Sequence, residues 1–374
     1  MKIARIEIYQ HDLAVKGGIY RLSGGRDYTS YDATFARVIS DEGHEGWGEA
    51  TPFGATYIAA HAGGTRAALA LLAPALLGHD PRAYDRRADL MAATLKGHRD
   101  ARCALDVACW DLSARAAGVA LCDMIGGRIH GTIPVISSIG GDEPDAMRAK
   151  VARHRAQGFR GHSIKIGAGE DEGGPALDAE RIKACLADRE PGEWFLADAN
   201  NGLSCEQALR LIACLPSDTD IVLEAPCPSW SETAALRPRC PFPILLDELI
   251  QSEADLIHAI TGNLCDGVGL KVSKQGGVTA MMRQRTIAAA AGLVMSIQDT
   301  VGSEISAATI FHLAATTPRR LLRCALDPRA MVDTQIATFD APVQNGGVTL
   351  PRALGLGVTP DLGKLAAPIA IYEA

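Results

Sequence analysis

Three short segments frame the reading of this chain: Phe195-Leu196-Ala197-Asp198, Val222-Leu223-Glu224 and Ile244-Leu245-Leu246-Asp247. Each is an apolar run that ends in a carboxylate. A short run that is apolar on both faces reads as a strand buried in a parallel sheet. In parallel α/β barrels the C-terminal strand ends form the functional face. A single acid in that place is most simply the cap of the next helix. Three acids in step with the strand–helix period read instead as an oxygen-rich site for a hard divalent cation such as Mg²⁺.

Working outward, similar strand ends fall at Ser138, Lys165, Asp198, Glu224, Asp247, Lys271, Asp299 and Asp327, about 23 to 33 residues apart. That is the chain length a right-handed βα unit needs, and its regular repetition predicts a (β/α) barrel over residues 128–340. Residues 1–127 differ. Strands are expected over 2–9, 31–40 and 45–49, followed by helices near Gly63–Leu77, Tyr84–Thr94 and Ala101–Ala117. Strands segregated from helices in this way predict an α+β domain. Between the first two strands, Lys16 to Ser30 shows no clear period and reads as a disordered connection or a mobile lid. The period stops after Asp340, and the turn-rich segment 341–374 is expected to return to the N-terminal domain.

Composition narrows the classes. The formal charge is −7, and no basic stripe appears, which argues against nucleic acid as a partner. No segment has the apolar length to cross a bilayer, and the N-terminus lacks a signal-peptide core, so a cytoplasmic location is expected. The 10 cysteines form no CxxC pair and sit mostly in apolar segments, where free cysteine acts as a small hydrophobe.

Two lysines bracket the acids. Lys165 ends Gly161-His162-Ser163-Ile164-Lys165, and Lys271 ends Val268-Gly269-Leu270-Lys271. Lysine is seldom buried without cause, and strands two and six of a barrel lie on opposite sides of its mouth. The pair is expected to face one substrate, with burial and a nearby cation lowering the lysine pKa into the range of a base. The plainer alternative is structural pairing with the acids.

Over nearly its whole length the chain resembles the muconate-lactonizing and mandelate-racemase branch of the enolase superfamily. The residues that carry the resemblance are Ala104-Leu105-Asp106-Val107-Ala108-Cys109-Trp110-Asp111, the acids Asp198, Glu224 and Asp247 with Glu248 following, Lys271-Val272-Ser273-Lys274-Gln275-Gly276-Gly277, and the Pro351 to Gly357 tail. The resemblance implies an enolase-type (β/α) barrel with an N-terminal α+β capping domain, Mg²⁺ held by Asp198, Glu224 and Asp247, and a symmetric homo-oligomer. It also implies Lys165 and Lys271 as the catalytic pair. One departure stands out: the second strand usually reads Lys-x-Lys, and here the first lysine is Ser163. A seventh-strand histidine is absent, and half of the epimerases' Asp-x-Asp remains at Asp327. What is left resembles members that act on proline derivatives. The expected chemistry is removal of the proton α to a carboxylate, leading to dehydration or 2-epimerisation of a small amino acid, first among them cis-3-hydroxy-L-proline. Racemisation of proline betaine, another proline derivative or a dipeptide is the runner-up; a barrel that binds metal without turnover is a different class. Asp299, Ser163, Asn200 and Tyr57 are expected to touch substrate, with Asp299 alternatively capping helix seven. Tyr20 and Tyr57 lie on loops expected to close over the site.

Overall fold

A computed structural model describes residues 1–22 and 26–374. The N-terminal part is a four-stranded antiparallel sheet with three helices on it. Ile3–Ala14 pairs with Ser30–Ser40, which pairs with Glu45–Ala50. The helices are Ala62–Leu76, Tyr84–Thr94 and Arg99–Ala116, close to the expected positions. Glycine decides how the last helix docks. In Glu45-Gly46-Trp47-Gly48-Glu49 the two glycines face it, and a Cβ on Gly48 would stand 2.0 Å from the Ala104 carbonyl. Only bare backbone on the strand, met by Ala104 and Ala108 on the helix, permits this approach. The alternate residues Trp47 and Glu49 therefore point the other way.

Eight parallel strands follow, each hydrogen-bonded to the next in chain order: Ile136–Ile139, Gly161–Lys165, Trp194–Asp198, Val222–Glu224, Ile244–Leu246, Gly267–Lys271, Val294–Gln298 and Leu322–Ala325. A single bridge, Val135 to Ala325, joins the first strand to the last and nearly closes the barrel. Every expected strand end lies within two residues of an observed one. Helices cover the outside, several with the caps their sequences promise. Ser204 and Gln207 form a reciprocal capping box at Cys205–Ala213, satisfying donors that the first turn would otherwise leave open.

The region Lys16 to Ser30 departs from the expectation. Tyr20–Leu22 pairs with Arg26–Tyr28 as a hairpin, although residues 23–25 lie outside the described residues. Its period was hidden because the contacts are aromatic: the rings of Tyr20 and Tyr28 meet Phe53 edge-on at 5.5 and 4.6 Å. At the other end of the chain, Ala370–Glu373 adds a fourth strand beside Ile3–Ala14. Buried carboxylates tie the parts together. Asp111 accepts from the backbone of Trp47 at 3.0 Å and of Leu356 at 2.7 Å. Glu49 accepts from Thr51 Oγ1 at 2.6 Å, from Ser303 N at 2.9 Å and Oγ at 2.6 Å, and from Ser306 N at 3.1 Å. Burial pushes the Glu49 carboxyl up to about 7, against the pull of those donors.

Candidate active site

Sheet register gathers the site. Lys165 lies opposite Asp198, and Asp198 opposite Glu224, so three successive strands carry these residues side by side. In-register neighbours share a face, and Ser163, two residues before Lys165, shares it too. Asp247 follows the fifth strand. Room for its carboxylate comes from the sixth, where a Cβ on Gly269 would approach Asp247 Cγ to 3.2 Å. Lys271 ends that sixth strand, opposite Gln298. One pocket at the C-terminal mouth takes in Tyr57, Ser163, Lys165, Asp198, Asn200, Glu224, Lys271 and Asp299. Asp247 stands just behind, bonded to Lys271. The backbone is strained where the strands end: Asn200 and Ala225, just past two of the acids, have φ of 44° and 41°.

The lysines pair with the acids. Lys165 Nζ donates to Asp198 Oδ2. Lys271 Nζ lies 2.5 Å from Asp247 Oδ2, bonds the Tyr57 hydroxyl, and sits 4.5 Å from the centre of the Tyr57 ring. Each ammonium's closest charged partner is a carboxylate, which opposes the lowering that burial brings. Burial does lower both values, but Asp198 outweighs it at Lys165, helped by Tyr20 and Glu224, and raises the ammonium. At Lys271, Asp247 and Glu248 likewise overcome burial and raise it to about 12. The sequence could not show how close each ammonium comes to a carboxylate.

The acids respond in opposite senses. Glu224 is pushed well up by burial and by the charges of Asp198 and Asp247. Burial would raise Asp247 too, yet Lys271 and Lys274 hold it near 2. The donor set suits a hard cation. Asp198, Glu224 and Asp247 offer only oxygen, and Glu224 Oε1 is buried with no hydrogen-bond partner. A buried carboxylate oxygen without a donor is costly, and a cation would relieve it. Among the described residues, no three such side chains stand in gripping geometry in this conformation. Asp198 is drawn to Lys165, and Asp247 to Lys271 and Lys274.

Asp299 needs correction as a cap. Its oxygens accept from Ser273 N at 3.1 Å, from Ser273 Oγ and from Thr300 N at 2.7 Å. The helix Glu304–Ala315 is capped by Ser303 instead. Asn200 donates through Nδ2 to Asp198 and Glu248, at 3.1 Å each, and so spaces two acids. Two residues that the sequence reading quoted for the resemblance, but gave no role in the site, stand within it. Lys274 Nζ is buried and lies 2.5 Å from Asp247 Oδ1 and 3.2 Å from the Gly269 carbonyl. Glu248 is buried beside Tyr57, its carboxyl raised by burial and by Asp247. The signal for Lys274 was its spacing, three residues after Lys271, which one helical turn brings to the same side.

Comparison with known proteins agrees with this geometry. Residues 29–126 match the mandelate racemase / muconate lactonizing enzyme N-terminal domain, and residues 146–364 match the enolase C-terminal domain-like family. The chain is 33% identical to a cis-3-hydroxy-L-proline dehydratase of Roseibium aggregatum, covering 100% of both chains. It is 26% identical to a D-Ala-D/L-Ala epimerase of Cytophaga hutchinsonii, over 96% of this chain and 95% of that one. Two solved structures assigned to the same family, from Roseovarius nubinhibens ISM, are 68% identical over 100% of each chain, with TM-scores of 0.98 and 0.97; the second is complexed with magnesium. Among the described residues, no helix is long and apolar enough to cross a membrane.

Proposed function

The chain belongs to the mandelate racemase/muconate lactonizing enzyme branch of the enolase superfamily, and from that premise we propose that it removes the α-proton of an amino-acid carboxylate. The favoured substrate is cis-3-hydroxy-L-proline, and the favoured outcome is dehydration to Δ1-pyrroline-2-carboxylate. One observation carries the reading: the ammonium ends of Lys165 and Lys271 rise from the second and sixth strands of an eight-stranded barrel into one pocket. Two proton-transfer groups on opposite sides of a bound α-carbon are what an anti elimination requires. Full-length similarity to a cis-3-hydroxy-L-proline dehydratase supports the choice of substrate.

Asp198, Glu224 and Asp247 would hold Mg²⁺. When bound, it supplies positive charge to offset the charge that develops on the substrate carboxylate. With Asp198 engaged by the cation instead of by Lys165, Lys165 as the neutral amine takes the α-proton of the L-substrate. In the cis-3-hydroxy compound the hydroxyl lies on the ring face opposite that proton. Lys271, on the other side, delivers a proton to the departing hydroxyl, so that water leaves. The enamine product then rearranges to the cyclic imine. Tyr57 covers the pocket from the capping domain and excludes water. A second reading, 2-epimerisation, uses the same two lysines and gains support from the epimerase relative. There Lys271 returns a proton to the α-carbon.

The test is a panel of proline derivatives incubated with enzyme and Mg²⁺ in D₂O and followed by proton NMR. cis-3-Hydroxy-L-proline should lose its α-proton signal and yield the cyclic imine. Exchange without loss of hydroxyl would favour epimerisation. Absence of both for every member of the panel would refute the reading.

A further inference from the structure

Each of the first seven barrel strands is followed by a helix, but the eighth, Leu322–Ala325, is followed by a 3₁₀ turn, Pro328–Met331, and then by short strands. The gap in the helical ring falls where the barrel closes through the single Val135–Ala325 bridge. A cavity of about 870 Å³ opens along this seam, against the helix Pro144–Ala156 and the loop bearing Lys16 and Tyr20. It abuts the inner pocket. Tyr20, Ile136, Ser138, Leu326 and Met331 line both. The inner pocket offers only about 50 Å³, room for a water or two. The shared wall is thus all that separates the larger space from the lysines.

The charges on the two sides differ. Around the inner pocket the charged groups are mutually paired: Lys165 with Asp198, and Lys271 and Lys274 with Asp247. On the seam cavity, Asp142 pairs with Lys150 at 3.1 Å, and Asp327 with Arg329 at 2.9 Å. Lys16 and Arg153, on the same walls, make no ion pair among the described residues. Unpaired cations in a concave cavity concentrate anions, because the surrounding low-dielectric walls focus their field.

We propose that the seam cavity is an outer binding site for the substrate carboxylate, in which Lys16 and Arg153 hold the anionic end before the molecule passes Tyr20 into the inner pocket. The identity of the ligand rests on the reading of the enzyme as one acting on amino-acid carboxylates; the sign of the cavity's field does not.

The experiment reads that field without using catalysis. In the full chain, Ser138→Cys places a thiol on the wall between the two spaces. It is treated at low salt with sulfonatoethyl or trimethylammonioethyl methanethiosulfonate. The thiolate attacks the reagent's sulfenyl sulfur, forms a mixed disulfide and expels methanesulfinate. Mass spectrometry of the peptide separates this label from those on the 10 native cysteines. Relative to a small free thiol, the sulfonate reagent should be favoured by roughly fivefold or more. Adding Lys16→Glu and Arg153→Glu should erase or invert that preference. A parent preference for the cationic reagent, or a preference unmoved by the two charge reversals, would overturn the proposal. With Ser138 restored, the same two reversals should raise KM for the substrate at least about threefold and change kcat less. A wild type that turns over no amino acid would sink the dehydratase reading alone, and the labelling ratio would still decide the cavity.

Discussion

Removing the Asp106 carboxylate should open the joint between the capping domain and the barrel. Asp106 lies on the helix Arg99–Ala116 and accepts from Arg87 Nη2 at 2.9 Å, from Thr279 N at 2.9 Å and from Thr279 Oγ1 at 2.7 Å. Thr279 is in the first turn of the barrel helix Val278–Ala290, and its hydroxyl also accepts from Trp110 Nε1 at 2.9 Å. The Arg87 and Asp106 side chains are 2% and 1% exposed, so water cannot take over. Asp106→Ala leaves the guanidinium with the Pro81 carbonyl but no counter-charge, and strands the Thr279 N–H. Breaking a buried pair from one side costs about 3–5 kcal/mol, part of which is the orphaned N–H. A loss of about 4 kcal/mol is expected. Urea denaturation followed by far-UV circular dichroism and tryptophan fluorescence would measure it. The double variant Asp106→Ala/Arg87→Met should lose less than the sum of the singles, by about 2 kcal/mol or more, because no charge is then stranded. A single-variant loss below about 1 kcal/mol, or additivity within about 0.5 kcal/mol, would refute the reasoning.

Gly48→Ala should destabilise by about 3 kcal/mol in the same titration, because the new methyl meets the Ala104 carbonyl, which is backbone and cannot swing aside; an unchanged midpoint would contradict the docking argument. His312 accepts from Cys122 N through Nδ1 at 3.0 Å and pairs through Nε2 with the Leu356 carbonyl at 3.2 Å, as a neutral ring does. Burial lowers its pKa to about 4, against the Leu356 carbonyl. The unfolded chain therefore binds the extra proton first, so this group's contribution is whole above about 6.5 and fades as pH falls toward 4, by about 3 kcal/mol. His312→Gln should flatten the acid side of the stability profile by that amount; an identical slope in both proteins would count against it. Asp198→Ala, Glu224→Ala and Asp247→Ala should each abolish turnover and weaken Mg²⁺ binding in calorimetry, while circular dichroism stays native because the catalytic face contributes little to barrel stability. Full activity after exhaustive chelation would sink the metal assignment.

Much of the frame was legible because burial on both faces leaves a plain mark. Strands such as Ile244-Leu245-Leu246 have no polar position until they reach the mouth, so the acid that ends each one stands out. Lys165 and Lys271 were visible for the same reason. Lys274 was not, since a lysine one turn beyond a strand looks like a solvated helix residue until the fold places Asp247 beside it. Glu49 was equally silent: its donors, Ser303 and Ser306, are some 250 residues away, and no local pattern announces a contact at that separation. The Tyr20–Tyr28 hairpin hid behind a low apolar content, its cohesion resting on rings gathered around Phe53. Periodicity reports burial within one element. Electrostatic partners recruited across domains, such as the donors to Glu49, leave no such trace.

The most direct measurement for the account as a whole separates the two lysines by face. Lys165→Ala and Lys271→Ala are each incubated with cis-3-hydroxy-L-proline and Mg²⁺ in D₂O, and proton NMR follows both the α-proton and the cyclic imine. Lys165→Ala should lose exchange and dehydration together, because the proposal gives the α-proton of the L-substrate to Lys165 alone. Lys271→Ala should form no imine yet still wash that proton into solvent. Retained exchange in Lys165→Ala, with none in Lys271→Ala, would contradict the assignment of base and acid.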